Sequence, residues 1–553
     1  MNRRSRGFLK EVVRTVFRRR PMRRLRRAFG ADPTFRLEAR QLLAADVLTY
    51  HNDTFRTGQN LLETTLTLAN VRVDQFGRVG QVKVDGAVYA QPLVKTGVDV
   101  PGLGMRDLVI VATQHDSVYA FDANTLEEVW QRTFIAPERG VTTVPAADQG
   151  DSSIFPEIGI TSTPVIDPAT NIVYFTAKTK EVSDGVVKYV YRLHALDLAS
   201  GQDALGGPVV IAPQVRGRGL GSVKGVVSFN TLRQLQRPAL LLSNGVVYAA
   251  FGSLGDVLPY SGWLVGFDAR DLRQVQVFNT TPNGRQGGIW MSGGGPAADA
   301  SGNIFVATGN GTLDGGNRPV NLGDSVVRLT RRPNGLVATS YFAPSDQASL
   351  EARDADFGSG GILLLPDQPG PTRRLLVTGG KDGRLYLLNR DQLGGFSPRG
   401  DRVTQMTRSI SGLWATPAYF NGRIYVAGSG DIEQKRRDPI LMFTLRKGRI
   451  APRVARGGPI YGYPGTTPSI SANGLADGIV WTLDNGPQET GGPAVLRAYD
   501  AANVSRELYD STQAGARDQA GPAVKFTVPT VANGRVYVGG KGTLTMYGLL
   551  GPS

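Results

Sequence analysis

Leu108-Val-Ile-Val-Ala112, a short polar turn, then Val118-Tyr-Ala-Phe-Asp122: this stretch decides how the chain reads. β-Branched and aromatic residues fill two short runs bounded by turn formers, the signature of paired, half-buried strands. The pair returns as Ile172–Thr176 with Leu193–Asp197, Val246–Ala250 with Trp263–Asp268, and Ile304–Thr308 with Ser325–Leu329. It returns again as Leu375–Thr378 with Leu385–Asn389, Arg423–Ala427, Ile479–Leu483 with Leu496–Asp500, and Arg535–Gly539 with Leu544–Tyr547. Counted by Val109, Val173, Val247, Ile304, Leu376, Ile424, Val480 and Val536, the units lie 48 to 74 residues apart.

A gap of that size holds a four-stranded sheet. One such sheet cannot bury both of its faces, so the units are expected to stack radially as blades. The predicted fold is an all-β propeller of eight four-stranded blades over residues 46–553, preceded by a basic N-terminal tail over 1–45. Amphipathic helices between the strand pairs, which a parallel β/α fold requires, are missing. Thr163-Pro164, Thr416-Pro417, Thr467-Pro468 and Val528-Pro529 precede strand pairs, where proline suits the first residue of a strand. Residues 47–60 are expected to close the ring by pairing near Met546-Tyr547. Insertions at 138–160, 215–240 and 340–360 are expected to crowd the faces of the disc, where function concentrates.

The net charge is +15, but residues 1–45 hold 14 Lys and Arg against 3 Asp and Glu, so the body carries only +4. A basic footprint confined to a tail is no nucleic-acid signature. Within residues 1–29, Phe8, Leu9, Val12, Val13, Val16 and Phe17 recur at helical spacing among arginines, a pattern suited to an anionic membrane surface. Cysteine is absent, which excludes disulfides, thiolate metal sites and cysteine nucleophiles. His51, His115 and His194 are too scattered to suggest a multi-histidine zinc centre. No Gly-x-Ser-x-Gly elbow and no phosphate loop is present.

Two stretches of likeness to known sequences add to this. Leu37-Glu-Ala-Arg-Gln-Leu-Leu-Ala44 resembles a Leu-Glu-x-Arg-x-Leu-Leu motif that precedes the mature region of many large exported bacterial proteins, which implies export. Val118-Tyr-Ala-Phe-Asp-Ala123 with Trp130, Lys381-Asp-Gly-Arg-Leu-Tyr-Leu-Leu-Asn-Arg390 and Thr308-Gly309-Asn310 resemble the PQQ-repeat propellers of quinoprotein alcohol dehydrogenases, over nearly the whole chain after residue 45. In that family a calcium ion and pyrroloquinoline quinone (PQQ) sit on the axis, and an Asp takes the alcohol proton.

The resemblance implies Asn310 and Asp256 as metal ligands, Trp290 and Lys381 as cofactor-binding residues, and Asp354 or Asp356 as the base. Aligned by Gly262-Trp263, Val257 stands where the family's Glu ligand is expected, with Asp256 adjacent. On a strand, a shift of one residue points to the opposite face. The disulfide ring that covers the quinone in many relatives cannot form here. Each residue also has a plainer reading: Trp290 as packing, Asp354 and Asp356 as loop caps, Lys381 as part of a solvated turn.

The reading placed first is an exported quinoprotein-like propeller that binds a protein or small-molecule ligand on one face without redox turnover. Its alternative is a PQQ- and calcium-dependent oxidoreductase acting on an alcohol or sugar. The two differ in geometry. An enzyme requires those six side chains to converge on one axial point, whereas a scaffold leaves them dispersed or occluded.

Overall fold

The computed structural model describes residues 45–151, 153–333, 335–430 and 436–551. The basic tail, the amphipathic stretch within 1–29 and the Leu37–Ala44 motif lie outside them. Helix is almost absent: Ala146–Gln149 and Gln347–Ala352 are the α-helices among the described residues, and neither is long or apolar enough to cross a membrane.

Each strand pair expected from the alternation becomes the centre of an antiparallel sheet. The first sheet runs Leu93–Val100, Gly104–Ala112, Ser117–Asp122 and Glu128–Thr133, with Leu108 opposite Asp122. Among the described residues seven more sheets of three strands or more follow in chain order, their first strands at Val165–Asp167, Leu241–Ser243, Ala297–Ala298, Leu363–Leu364, Ala418–Phe420, Ser469–Asn473 and Thr530–Ala532. In the last of them Arg535–Leu549 is extended throughout but doubles back at Gly542 (φ +71°), so that Gly548 lies against Arg535.

Packing follows the same order. Apolar clusters join the second sheet to the third through Tyr174 and Phe251, the fifth to the sixth through Val377 and Phe443, and the sixth to the seventh through Tyr425 and Val480. The cluster around Val109 and Phe121 of the first sheet also takes Tyr537, Leu544 and Met546 from the last, so the cycle of packing closes. This is a β-propeller, in which every sheet buries its faces against its neighbours.

Neighbouring sheets approach closely where glycine allows it. A Cβ on Gly457, at the end of Arg449–Gly457, would stand 1.7 Å from the Val504 carbonyl oxygen of the next sheet. Gly457→Ala is therefore expected to cost about 1–3 kcal/mol through overpacking, read as a lower denaturant midpoint at unchanged slope.

Closure differs from the expectation. The strand that pairs near Met546-Tyr547 is Phe76–Ala87, with Gly80 opposite Met546 and Arg78 opposite Tyr547. Residues 47–60 do something else: they run past the first strand of every sheet. The carbonyls of Val47, Leu48, Thr54, Phe55, Thr57 and Gly58 accept the N–H groups of Val94, Ile166, Ala298, Leu364, Tyr419 and Ile470 at 2.7–2.9 Å. Arg56 Nη2 donates to the Leu240 carbonyl at 3.1 Å, and Asn60 Nδ2 to that of Val531 at 2.9 Å. First strands meet where the sheets converge, so this segment threads the axis. Its carbonyls satisfy inner-edge donors that would otherwise be buried unpaired.

Candidate active site

The insertions and the segments just before first strands supply one cavity of about 330 Å³. Contributions come from the third sheet through the eighth: Arg237, Trp290, Asp354 and Asp356, Trp414, Tyr463, and Lys525 with Phe526. Asp256 follows the strand Val246–Ser253, and Lys381 follows Leu375–Gly379. A larger groove of about 700 Å³ lies between the outer strands Gln274–Asn279 and Gly335–Phe342, but among the described residues Arg216, Arg318 and Tyr341 are its ionisable side chains, with no acid.

Of the six residues singled out from the sequence, Asp256, Trp290, Asp354, Asp356 and Lys381 line the smaller cavity, and Asn310 sits behind its wall. Asn310 Nδ2 donates to Asp354 at 2.7 Å and its backbone N–H to Asp356 Oδ1 at 2.8 Å. Its Oδ1 is sealed from solvent and has no hydrogen-bond partner among the described residues. Lys381 Nζ bridges both carboxylates, 3.0 Å from Asp354 and 2.8 Å from Asp356. Glycine makes the approach possible, since a Cβ on Gly309 would come 2.7 Å from Asp356 Oδ1 and 3.4 Å from Trp290 Nε1.

The two aspartates differ. Asp354 is 64 % exposed at its side chain and Asp356 only 8 %, so Asp356 bears the desolvation. Burial pushes the Asp356 pKa up; Lys381 opposes this, while the charges of Asp354 and Asp256 add to it. Burial works against the Lys381 cation, but Asp356 and Asp354 outweigh it and hold the ammonium charged. Behind them Asp324 is fully buried, accepts the Phe357 N–H at 3.1 Å, and is pushed up to about 8 by burial and by the Asp356 charge.

Asp256 reaches the cavity because residues 254–262 form no strand. After Leu254 the chain turns through Gly255 and Asp256, both with positive φ, and the strand alternation that would send Asp256 to the other face does not apply. Ser253 Oγ, at 3.1 Å, and the Tyr260 hydroxyl donate to Asp256 Oδ1. Val257 is absent from the cavity wall.

Four rings, from the fourth, sixth, seventh and eighth sheets, make one side of the cavity. Trp290 and Trp414 centroids are 5.7 Å apart, Trp414 and Tyr463 5.3 Å, Tyr463 and Phe526 6.4 Å. Lys381 Nζ stands 5.3 Å from the Trp414 centroid. Ile154 and Leu254 add apolar surface. Trp414 and Phe526 each lie three residues before a per-unit proline, a signal present in the sequence that the reading of strand pairs passed over. Arg237 and Lys525 carried no such signal.

Among the described residues no three His, Cys, Asp or Glu side chains gather into a self-sufficient metal cage. A cation here needs the Asn310 amide oxygen and oxygens from a second ligand.

No protein-family model matches the chain, and no curated protein is similar enough in sequence to count as a relative. Solved structures do match. The quinohemoprotein alcohol dehydrogenase ADHIIG from Pseudomonas putida HK5 superposes with a TM-score of 0.55 at 14% identity, over 92% of this chain and 81% of that one. A europium-containing methanol dehydrogenase gives 0.57 at 13% identity, over 91% and 98%. At that identity the likeness shows the fold alone: the chain is a β-propeller similar in architecture to these two dehydrogenases.

Proposed function

We propose that the chain is an eight-bladed quinoprotein that binds a PQQ-type quinone and a hard cation in this cavity and oxidises a small alcohol or sugar. The observation that carries the reading is Asn310 Oδ1, a buried amide oxygen with no partner among the described residues, held beside two carboxylates at the edge of an aromatic-walled cavity. A buried acceptor left unpaired costs about 1–3 kcal/mol, which a bound cation would offset. The residues fit the group. Trp290 offers a flat floor, Asn310 Oδ1 and the Asp256 carboxylate offer hard oxygen ligands, and Lys381 offers a fixed cation beside the acid pair.

When bound, the quinone supplies the two-electron acceptor and most of the chemistry. This chain's residues do the rest. Asp356, buried and with its pKa raised, takes the proton from the substrate hydroxyl. Lys381 and the Asn310 N–H fix its two oxygens, and Ile154 and Leu254 help to keep water out. Asp354, the more exposed carboxylate, adds negative charge to the cation site, so a trivalent lanthanide is tested beside calcium.

Convergence of five side chains on one cavity, with the sixth bonded to two of them, supports catalysis over a scaffold without turnover. Export, implied by the Leu37–Ala44 resemblance, belongs to the same reading, as does contact of residues 1–29 with a membrane surface.

Dye reduction by the protein loaded with quinone and calcium or lanthanide, across primary alcohols and sugars, tests the proposal. Turnover is expected. In Asn310→Ala the cation concentration giving half-maximal activity is expected to rise by at least about tenfold, as loss of a metal-site oxygen does. Absence of turnover with any alcohol or sugar in a protein that binds quinone would return the reading to a ligand-binding scaffold.

A further inference from the structure

Buried guanidinium groups are ordinarily matched by carboxylates or carbonyls. Arg56 is matched: it has no exposed surface, and it donates to Thr49, Tyr50, Leu240 and Pro296. Arg237 is not. It is 4% exposed, its guanidinium makes no hydrogen bond or ion pair with the described residues, and Nη2 is shut from solvent without an acceptor.

What lies against Arg237 is a pair of rings, the Tyr89 centroid 5.3 Å and the Phe526 centroid 4.7 Å from its Cζ, which attract the cation and leave its N–H donors unused. Lys525 joins it on the same cavity, its Nζ 5.8 Å from the Phe526 centroid. Burial and the neighbouring Arg237 charge push the Lys525 pKa down to about 8, against the pull of Asp151. Asp151 also lines the cavity, but it makes no ion pair with either cation; its Oδ1 accepts the Ser153 N–H at 2.7 Å. Two cations drawn together in a half-dry cavity raise each other's cost unless an anion lies between them.

We propose that Arg237 and Lys525 form an oxyanion subsite that takes a carboxylate or phosphate group of a ligand whose flat body lies along the Trp414, Tyr463 and Phe526 rings. The cavity is then two-ended, with carboxylates and the Asn310 oxygen for a cation and Arg237 with Lys525 for an anion. The acid group can belong to an aromatic cofactor or to an acidic substrate. The inference rests on the quinone reading only in placing a ligand in this cavity, and it stands on Arg237 whether or not that ligand is a quinone.

The test uses the full chain, without quinone or added metal. Naphthalene-2-carboxylate, with inorganic phosphate as a second anion and naphthalene-2-carboxamide as the neutral control, is titrated by calorimetry and by tryptophan emission. The acid is expected to bind at least about tenfold more tightly than the amide, as charge-assisted hydrogen bonds do. Lys525→Gln, at a half-buried position that keeps the fold, and Arg237→Gln are each expected to weaken the acid by about tenfold and to leave the amide unchanged.

Equal binding of acid and amide, or an acid preference intact in both variants, would overturn the subsite. Asn310→Ala separates the two readings, because it is expected to leave the acid preference intact while weakening cation-dependent quinone binding. Displacement of the naphthoate by quinone assigns the acid group to the cofactor. Simultaneous binding of the two assigns it to a substrate.

Discussion

Asp356→Asn is expected to lower kcat by about 10²–10⁴-fold, the range for loss of a positioned general base, while quinone binding persists. The amide keeps the shape of the carboxyl, and its oxygen can still accept the Asn310 N–H that Asp356 now accepts at 2.8 Å. What it cannot do is take a proton. The pH profile gives a second readout. Burial, Asp354 and Asp256 raise the Asp356 pKa and Lys381 lowers it, and the base works only when deprotonated, so activity should rise with pH through that raised pKa. Lys381→Met removes the opposing cation 2.8 Å away, and its rising limb should lie at higher pH than the parent's. Asp354→Asn removes a like charge from Asp356, and its limb should move to lower pH.

Arg56→Met is expected to be the most destabilising single change in the chain. The side chain has no exposed surface, and burial pushes its pKa down only to about 10, so the charge stays on. It donates to Thr49 Oγ1 at 2.7 Å, Tyr50 O at 2.8 Å, Leu240 O at 3.1 Å and Pro296 O at 2.9 Å, tying the axial segment to the third and fourth sheets. Methionine fills much of the space and leaves these acceptors without a donor. At about 1–3 kcal/mol for each buried group left unsatisfied, the loss is about 4 kcal/mol or more. Chemical denaturation followed by far-ultraviolet circular dichroism reads it as a large fall in midpoint. Arg56→Lys is expected to recover only part of the loss, because a compact ammonium reaches fewer of the four acceptors than the planar guanidinium fork does.

The contrast between these two residues says where the sequence was readable. Strand pairs such as Leu108–Ala112 with Ser117–Asp122 read as short, nearly continuous apolar runs because both faces of each sheet are packed against a neighbour, and that pattern survives without knowledge of the ring. The closing strand Phe76–Ala87 was missed because Gly77, Arg78, Gly80, Gln81 and Lys83 dilute its apolar signal, and Val79 points outward. Val47-Leu48-Thr49-Tyr50 looked like that strand, yet its burial comes from the inner edges of the sheets around it and not from membership of one sheet.

The acid pair, Trp290, Lys381 and Asn310 were visible through motifs whose spacing brings them to one cavity. Asp256 was harder to place, because the objection from strand alternation assumed a strand where the chain turns. Arg56, Arg237 and Asp324 were invisible. Each is a single charged residue outside any motif, and its burial comes only from parts of the chain that are distant in sequence.

Calorimetric titration of the full chain with PQQ, with and without calcium or a trivalent lanthanide, tests the central claim most directly. Saturable binding that requires the cation and is lost in Asn310→Ala is the predicted result. Failure of the folded protein to bind quinone at high micromolar concentration, or binding indifferent to both cation and Asn310, would contradict it.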